Sequence, residues 1–139
     1  IFPTILHAAN TSYSSPLDGM DISNLLFNNH KNLDRVLFWH FPVYIQSKNW
    51  KGFNFENRDS LFRTRPGSVV RKGDWKLHYY FEDKSVELFN LKTDISEKTN
   101  LIDEFPEKAD QLKSLLENWW KETKAPIPNK LNPEYILNN

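Results

Sequence analysis

The segment RKGDWKLHYYFEDKSVELFNL, Arg71 to Leu91, constrains the fold more than any other part of the 139-residue chain. In WKLHYYF, Trp75, Leu77, Tyr79 and Phe81 alternate with Lys76, His78 and Tyr80. That is the two-residue period of a strand. Gly73-Asp74 before it and EDKS after it are turn sequences, and GSVVRKG and VELFNL supply strand-like runs on either side. In VELFNL, Val86, Leu88 and Asn90 are expected on one side. Connections this short join antiparallel neighbours, because a parallel pair needs a long crossover. The segment therefore predicts an antiparallel meander.

A meander with one apolar face needs a cover, and the next part of the chain offers one. Pro106 suits a helix's first turn, and Ala109, Leu112, Leu115, Leu116, Trp119 and Trp120 recur at three- and four-residue steps. This predicts an amphipathic helix of about 15–18 residues laid on the sheet, ended by Pro126 and Pro128. RVLFWHF, Arg35 to Phe41, is a continuous apolar run stopped by Pro42 and reads as a further strand, covered on both faces. Nearer the N-terminus, Phe2–Ala9 reads as a short helix with Pro3 near its start and Asn10 as its stop. Asp21 caps a second, Ile22 to Phe27. The fold class is α+β: a small antiparallel sheet of about four strands with a packed C-terminal amphipathic helix, preceded by short helices. Between strands, Val43 to Pro66 forms a long loop carrying Tyr44, Trp50, Phe53 and Phe55. Loops this long are usually functional or disordered, and its aromatics argue against simple disorder.

Eighteen basic and eighteen acidic residues cancel, leaving no global field to draw the chain onto nucleic acid or an anionic membrane. No apolar run approaches the roughly 20 residues of a membrane span. With no cysteine, the chain has neither disulfides nor thiolate metal ligands. His7, His30, His40 and His78 are not paired at metal-site spacings, and there is no calcium loop, glycine-rich phosphate cradle or G-x-S-x-G elbow. No catalytic kit is visible in the sequence.

The order of motifs is distinctive: FPTIL and LDGMDISNLL, then RVLFWHFPVY, then RPGSVVRKGDWKLHYYFEDKSVELFNLKTDISEKTNL, then PEKADQLKSLLENWWKETKAPIP, then NPEY. It resembles the C-terminal region of type I, formylglycine-dependent sulfatases of the polysaccharide-degrading kind, over nearly the whole chain. The resemblance implies a sulfuric ester hydrolase acting on sulfated carbohydrate. Its nucleophile and its calcium ion would lie in an N-terminal α/β domain, in sequence outside this chain. Neither C-x-P-x-R nor S-x-P-x-R occurs here. Residues 1–30 would be the tail end of the α/β domain and a linker, and residues 31–139 the C-terminal subdomain. The implied compartment is periplasmic or extracellular. IFPTIL and VLFWHF would then present apolar surface to the catalytic domain, or to another copy of the chain. Two other readings remain open on the residues alone, a free-standing carbohydrate-binding module and a protein-interaction domain.

Within that resemblance, six residues are candidates for substrate contact. His40 would offer a hydrogen bond to a sugar hydroxyl or sulfate, or serve as a structural histidine bonded to a backbone carbonyl. Tyr44 and Trp50 would stack on sugar faces, or pack a loop that folds back on the subdomain. Arg63, Arg65 and Arg71 would offer forked donors to sulfate, or make surface salt bridges. Trp119 and Trp120 read as core, and Asp94, Glu97 and Asn100 as turn and cap residues.

Overall fold

The computed structural model describes residues 1–27, 35–46 and 62–130, leaving aside the side chains of Gln46, Phe62 and Arg63. Two compact units result, Ile1–Arg35 and Val36–Asn139.

In the first unit, α1 (Phe2–Ala8) has Pro3 in its opening turn. It stops where Asn10 takes the left-handed conformation, φ 51°. The N–H groups of Asn10 and Thr11 fold back onto the carbonyls of His7 and Leu6. The second helix, α2 (Ser23–Phe27), is capped by Asp21, whose Oδ1 accepts the Ser23 N–H at 2.9 Å. The Ile22 N–H reaches Thr4 Oγ1 at 3.1 Å, tying the start of α2 to α1.

The second unit contains β1 (Val36–Phe41), β2 (Ile45–Gln46), β3 (Phe62–Thr64), β4 (Gly67–Lys72), β5 (Trp75–Tyr80), β6 (Val86–Asn90) and α3 (Pro106–Thr123). Four strands form an antiparallel sheet in the order β1-β4-β5-β6. Gly73, at φ 59°, opens the two-residue turn between β4 and β5. Positive φ at that position is what lets such a turn follow the strand twist. The register pairs Val70 with Leu77 and Leu77 with Leu88, so these three line up across one face. Each is completely buried, packed with Ala109, Leu112 and Leu116 of α3. Phe38, Tyr79, Leu115, Trp119 and Trp120 surround that core. Trp119 stacks on Phe38, ring centres 5.1 Å apart and planes within 7°. Both tryptophans reach the sheet although they are adjacent, because their large rings span the width of the apolar stripe.

The stretch after β6 closes that edge of the sheet. Asn100 Oδ1 accepts from the Leu88 and Ile102 N–H groups, and the Leu101 N–H gives to the Leu88 carbonyl at 2.8 Å. Asp94 Oδ2 accepts the N–H groups of Lys98 and Thr99. Asp94 and Asn100 are thus turn and cap residues. α3 ends in a Schellman-type turn: Lys124 is left-handed at φ 52° and the Ala125 N–H bonds the Trp120 carbonyl at 3.0 Å.

Two features differ from the sequence expectation. β1 is an edge strand whose outer face is open, with Trp39 half exposed. Its continuous apolar run reflects one face against α3 and one face turned away from it. Second, the long loop begins and ends in a short antiparallel pair, β2 with β3, Ile45 opposite Thr64. Strands of two and three residues carry no readable alternation.

Replacing Lys124 with Gly is expected to raise stability by about 1 kcal/mol by removing the left-handed penalty. Gly67→Ala should lower it, because an added Cβ would sit 2.9 Å from the Tyr79 carbonyl oxygen. Thermal melts check both, with roughly 4–8 °C expected per kcal/mol at this domain size.

Candidate functional site

Strand parity gives the sheet two chemically different faces. Val36, Phe38 and His40, then Ser68 and Val70, then Leu77 and Tyr79, then Val86 and Leu88 share the α3 side. Leu37, Trp39, Phe41, Val69, Arg71, Lys76, His78, Tyr80, Glu87 and Phe89 share the other.

A polar node sits at the rim of the α3 side. Ser68, 1% exposed, occupies a core-facing position on β4. His40 Nδ1 lies 2.7 Å from Ser68 Oγ and His40 Nε2 lies 2.9 Å from the Pro126 carbonyl oxygen. Trp120 Nε1 donates to Ser68 Oγ at 3.0 Å. A carbonyl only accepts, so Nε2 carries a proton, and in the neutral ring Nδ1 accepts the serine proton. Every donor in that chain then has an acceptor. A serine beside a histidine is the start of a nucleophilic pair, but this one is buried and its oxygen is held by the indole. The node fastens the segment after α3 to the strand that leads into β2.

The opposite face carries ion pairs. Lys76 Nζ donates to Glu97 Oε1 at 2.6 Å and His78 Nε2 to Glu97 Oε2 at 2.8 Å. Tyr80 O–H donates to Glu87 Oε2 at 3.0 Å. Phe89, on this same face, is 1% exposed and has His78 edge-on at 5.7 Å. Burial works to raise the Glu97 carboxyl, but the Lys76 hydrogen bond and charge, with His78 behind them, hold it below its ordinary 4.5. Glu97 itself is left-handed at φ 54°. Such strain in a non-glycine residue persists when its side chain is held.

The six candidates are placed as follows. His40 belongs to the serine node. Arg65 Nη1 donates to Asp83 Oδ2 at 2.6 Å and its guanidinium lies 4.4 Å over the Tyr80 ring. Arg71 Nε donates to the Gly73 carbonyl at 3.0 Å. Tyr44 is half-buried between β1 and β2. Trp50 and the side chain of Arg63 lie outside the described residues, although the Arg63 backbone belongs to β3. His40 and Arg71 are on opposite faces of the sheet. Tyr44 and Arg63 flank the two ends of segment 47–61, which β2 and β3 bring side by side. Among the described residues, no group of three metal-ligating side chains forms.

Ser68 and Trp120 were not visible as partners from spacing. The available signal was a serine at a core parity position between Gly67 and Val70, which demands a buried donor or acceptor.

Glu97→Ala is expected to destabilise by about 1–2 kcal/mol through loss of charge-assisted bonds. Glu97→Gly should lose about 1 kcal/mol less, because glycine accepts the left-handed backbone. The sign with pH follows from the depressed carboxyl. Its contribution is present above 4.5 and is lost as pH falls through the lower folded value. Urea titrations at pH 7 and pH 3 should therefore show the wild-type advantage over Glu97→Gln shrinking in acid.

No protein-family model matches the chain. Over 141 aligned residues and 90% of its length it is 32% identical to a sulfatase from Formosa agariphila, of which it covers 23%. Over 77% of its length it is 33% identical to arylsulfatase K from Mus musculus, covering 18% of that protein. The chain thus spans about a quarter or less of the curated relatives it matches. Among solved structures, it superposes on a putative sulfatase from Bacteroides thetaiotaomicron with a TM-score of 0.64 at 20% identity. It also superposes on BT1596, a 2-O GAG sulfatase, with a TM-score of 0.64 at 20% identity. BT4656, solved with its substrate D-glucosamine-2-N,6-O-disulfate, gives 0.59 at 21%. Each superposition covers 96% of this chain and 25–27% of the other, and at these identities it speaks for the fold. With sequence likeness over 90% of its length and fold likeness over 96%, the chain is a C-terminal region of the sulfatase family.

Proposed function

We propose that this chain serves a sulfuric ester hydrolase as its C-terminal subdomain, a scaffold and substrate-specificity wall whose catalytic residues belong to another part of the polypeptide. The observation that carries the reading is the 32% identity over 90% of the chain to a sulfatase of which that match spans 23%. Residues 1–30 are the end of the catalytic domain and a linker, and residues 31–139 the subdomain. Formylglycine and calcium belong to the catalytic domain. Neither C-x-P-x-R nor S-x-P-x-R occurs in this chain, and among the described residues no group of three His, Asp or Glu side chains gathers to hold a metal ion.

The substrate class is sulfated carbohydrate, with a periplasmic or extracellular compartment to match. Support comes from the structural likeness to a 2-O GAG sulfatase and to an enzyme holding a sulfated glucosamine. The wall would be built on segment 47–61, with Trp50 inside it and Tyr44 and Arg63 at its ends. The β2–β3 pair supports this by holding the two ends together. Arg71 lies on the face away from α3, its Nε tied to the Gly73 carbonyl. His40 and Arg65 would act through position, since both bond within the chain.

The test is sulfate release from a sulfated glucosamine by the whole gene product and by the 139-residue chain. Activity in the former and none in the latter is expected; turnover of an aryl sulfate by the chain alone would refute the assignment. In the active gene product, Tyr44→Ala and Trp50→Ala should raise KM by about tenfold with kcat little changed, the pattern of lost uniform binding.

A further inference from the structure

His40 and Ser68 face each other across the β1–β4 register, one step before that pairing ends at Phe41 and Gly67. Beyond this point β1 leads through Tyr44 into β2, and β3 leads back into β4. The returning limb is fixed on its own account: the Phe81 N–H donates to the Pro66 carbonyl at 2.9 Å, and Gly67 packs directly on the Tyr79 backbone. The outgoing limb leaves the sheet immediately after His40, so its direction depends on how that residue is held.

Several parts of the chain hold His40. Ser68 Oγ of β4 and the carbonyl of Pro126 bond its two nitrogens. Trp119 of α3 and Phe81 after β5 set their rings against it at 6.1 and 5.7 Å, inclined by 63° and 82°. Aromatic neighbours restrict the plane of an imidazole but permit a half-turn within it; two hydrogen bonds of fixed polarity do not. That polarity runs one way. The Trp120 indole only donates, so it takes a lone pair of Ser68 Oγ, the serine proton goes to His40 Nδ1, and the Nε2 proton goes to Pro126. A buried network with every member satisfied selects one arrangement over its neighbours. Ser68 stands at the centre of that chain and is buried. Packing alone does not call for a hydroxyl there, since Val70, two residues on and on the same face, is buried and apolar.

We infer that Ser68 is a positioning residue for sulfated-carbohydrate recognition, acting through His40 on the direction in which β1 delivers Tyr44, and touching no substrate atom itself. The inference rests on the functional reading above, in which Tyr44 stacks on a sugar face. Small displacements of a binding group carry large penalties, so a residue set back from the ligand by one cross-strand bond and a four-residue arm governs affinity at a distance.

Steady-state sulfate release from a sulfated glucosamine by the whole gene product tests this. Ser68→Ala is expected to raise KM about fivefold with kcat little changed, the split that marks lost uniform binding. Added to Tyr44→Ala, the same substitution should change KM by less than about twofold further, because the ring it positions is already gone. Additive effects would make Ser68 a purely structural residue and overturn the inference. So would an unchanged KM for Ser68→Ala beside a raised KM for Tyr44→Ala; both results leave the functional reading standing. An unchanged KM for Tyr44→Ala would remove that part of the functional reading and the inference with it. Should Ser68→Ala fail to fold, Trp120→Phe takes its place, keeping an aromatic ring while removing the N–H that orients the serine. A raised KM that vanishes in the Tyr44→Ala background is then expected, and an unchanged or additive one overturns the inference.

Discussion

The register between β4 and β5 is the constraint on which the rest of the second unit depends. The Gly73-Asp74 turn sets Val70 opposite Leu77, and β6 then sets Leu88 beside them. A slip of one residue would turn Val70 away from α3 and present Val69 or Arg71 in its place, because strand side chains alternate. Ala109, Leu112 and Leu116 would lose the surface they pack on. The same slip would carry Ser68 out of reach of Trp120 and His40, unfastening the segment after the helix. One turn residue thus governs the hydrophobic core and the polar node at once.

Legibility in the sequence follows the range of the interaction. The strand alternation in WKLHYY, the helix stripe from Ala109 to Trp120, the Asp21 cap and the Asn10 stop all depend on residues within a few positions of one another. The sequence shows them directly. The Ser68 node joins positions 28, 52 and 86 residues apart by chain separation, and no local pattern announces such a meeting. The exposure of β1 was hidden for a related reason. An apolar run reads the same whether its second face lies against its own chain or against something else. The two-strand pair that closes the long loop was too short to leave any period.

Glu97 shows how the loop after β6 converts a turn into part of the sheet surface. The loop is nucleated locally, by Asp94 and Asn90 accepting backbone N–H groups a few residues ahead. It is then pinned remotely by Asn100 on β6 and by Glu97 on Lys76 and His78 of β5. The left-handed backbone at Glu97 is the consequence, since the carboxylate must reverse toward β5 while its neighbours continue along the turn. Asn100 and Glu97 thus hold one loop against two different strands, and Phe89 is buried on the face that the loop approaches.

The neutrality of the chain also has a structural meaning. Balanced charge over a whole sequence says little by itself, but here the balance is local. The sheet face away from the helix holds Lys76, His78 and Arg65 against Glu97 and Asp83, each with its partner within 2.8 Å. These side chains keep only 11–25% of their accessible surface, and a charge partly withdrawn from water is costly to leave without its partner. The two sheet edges also differ: among the described residues, Asn100 and Leu101 bond Leu88 on the β6 edge, and none bonds the outer side of β1. The sheet is covered by α3 on one face, and on the other Lys76, His78 and Arg65 are neutralised by carboxylates of the loops that follow β6 and β5.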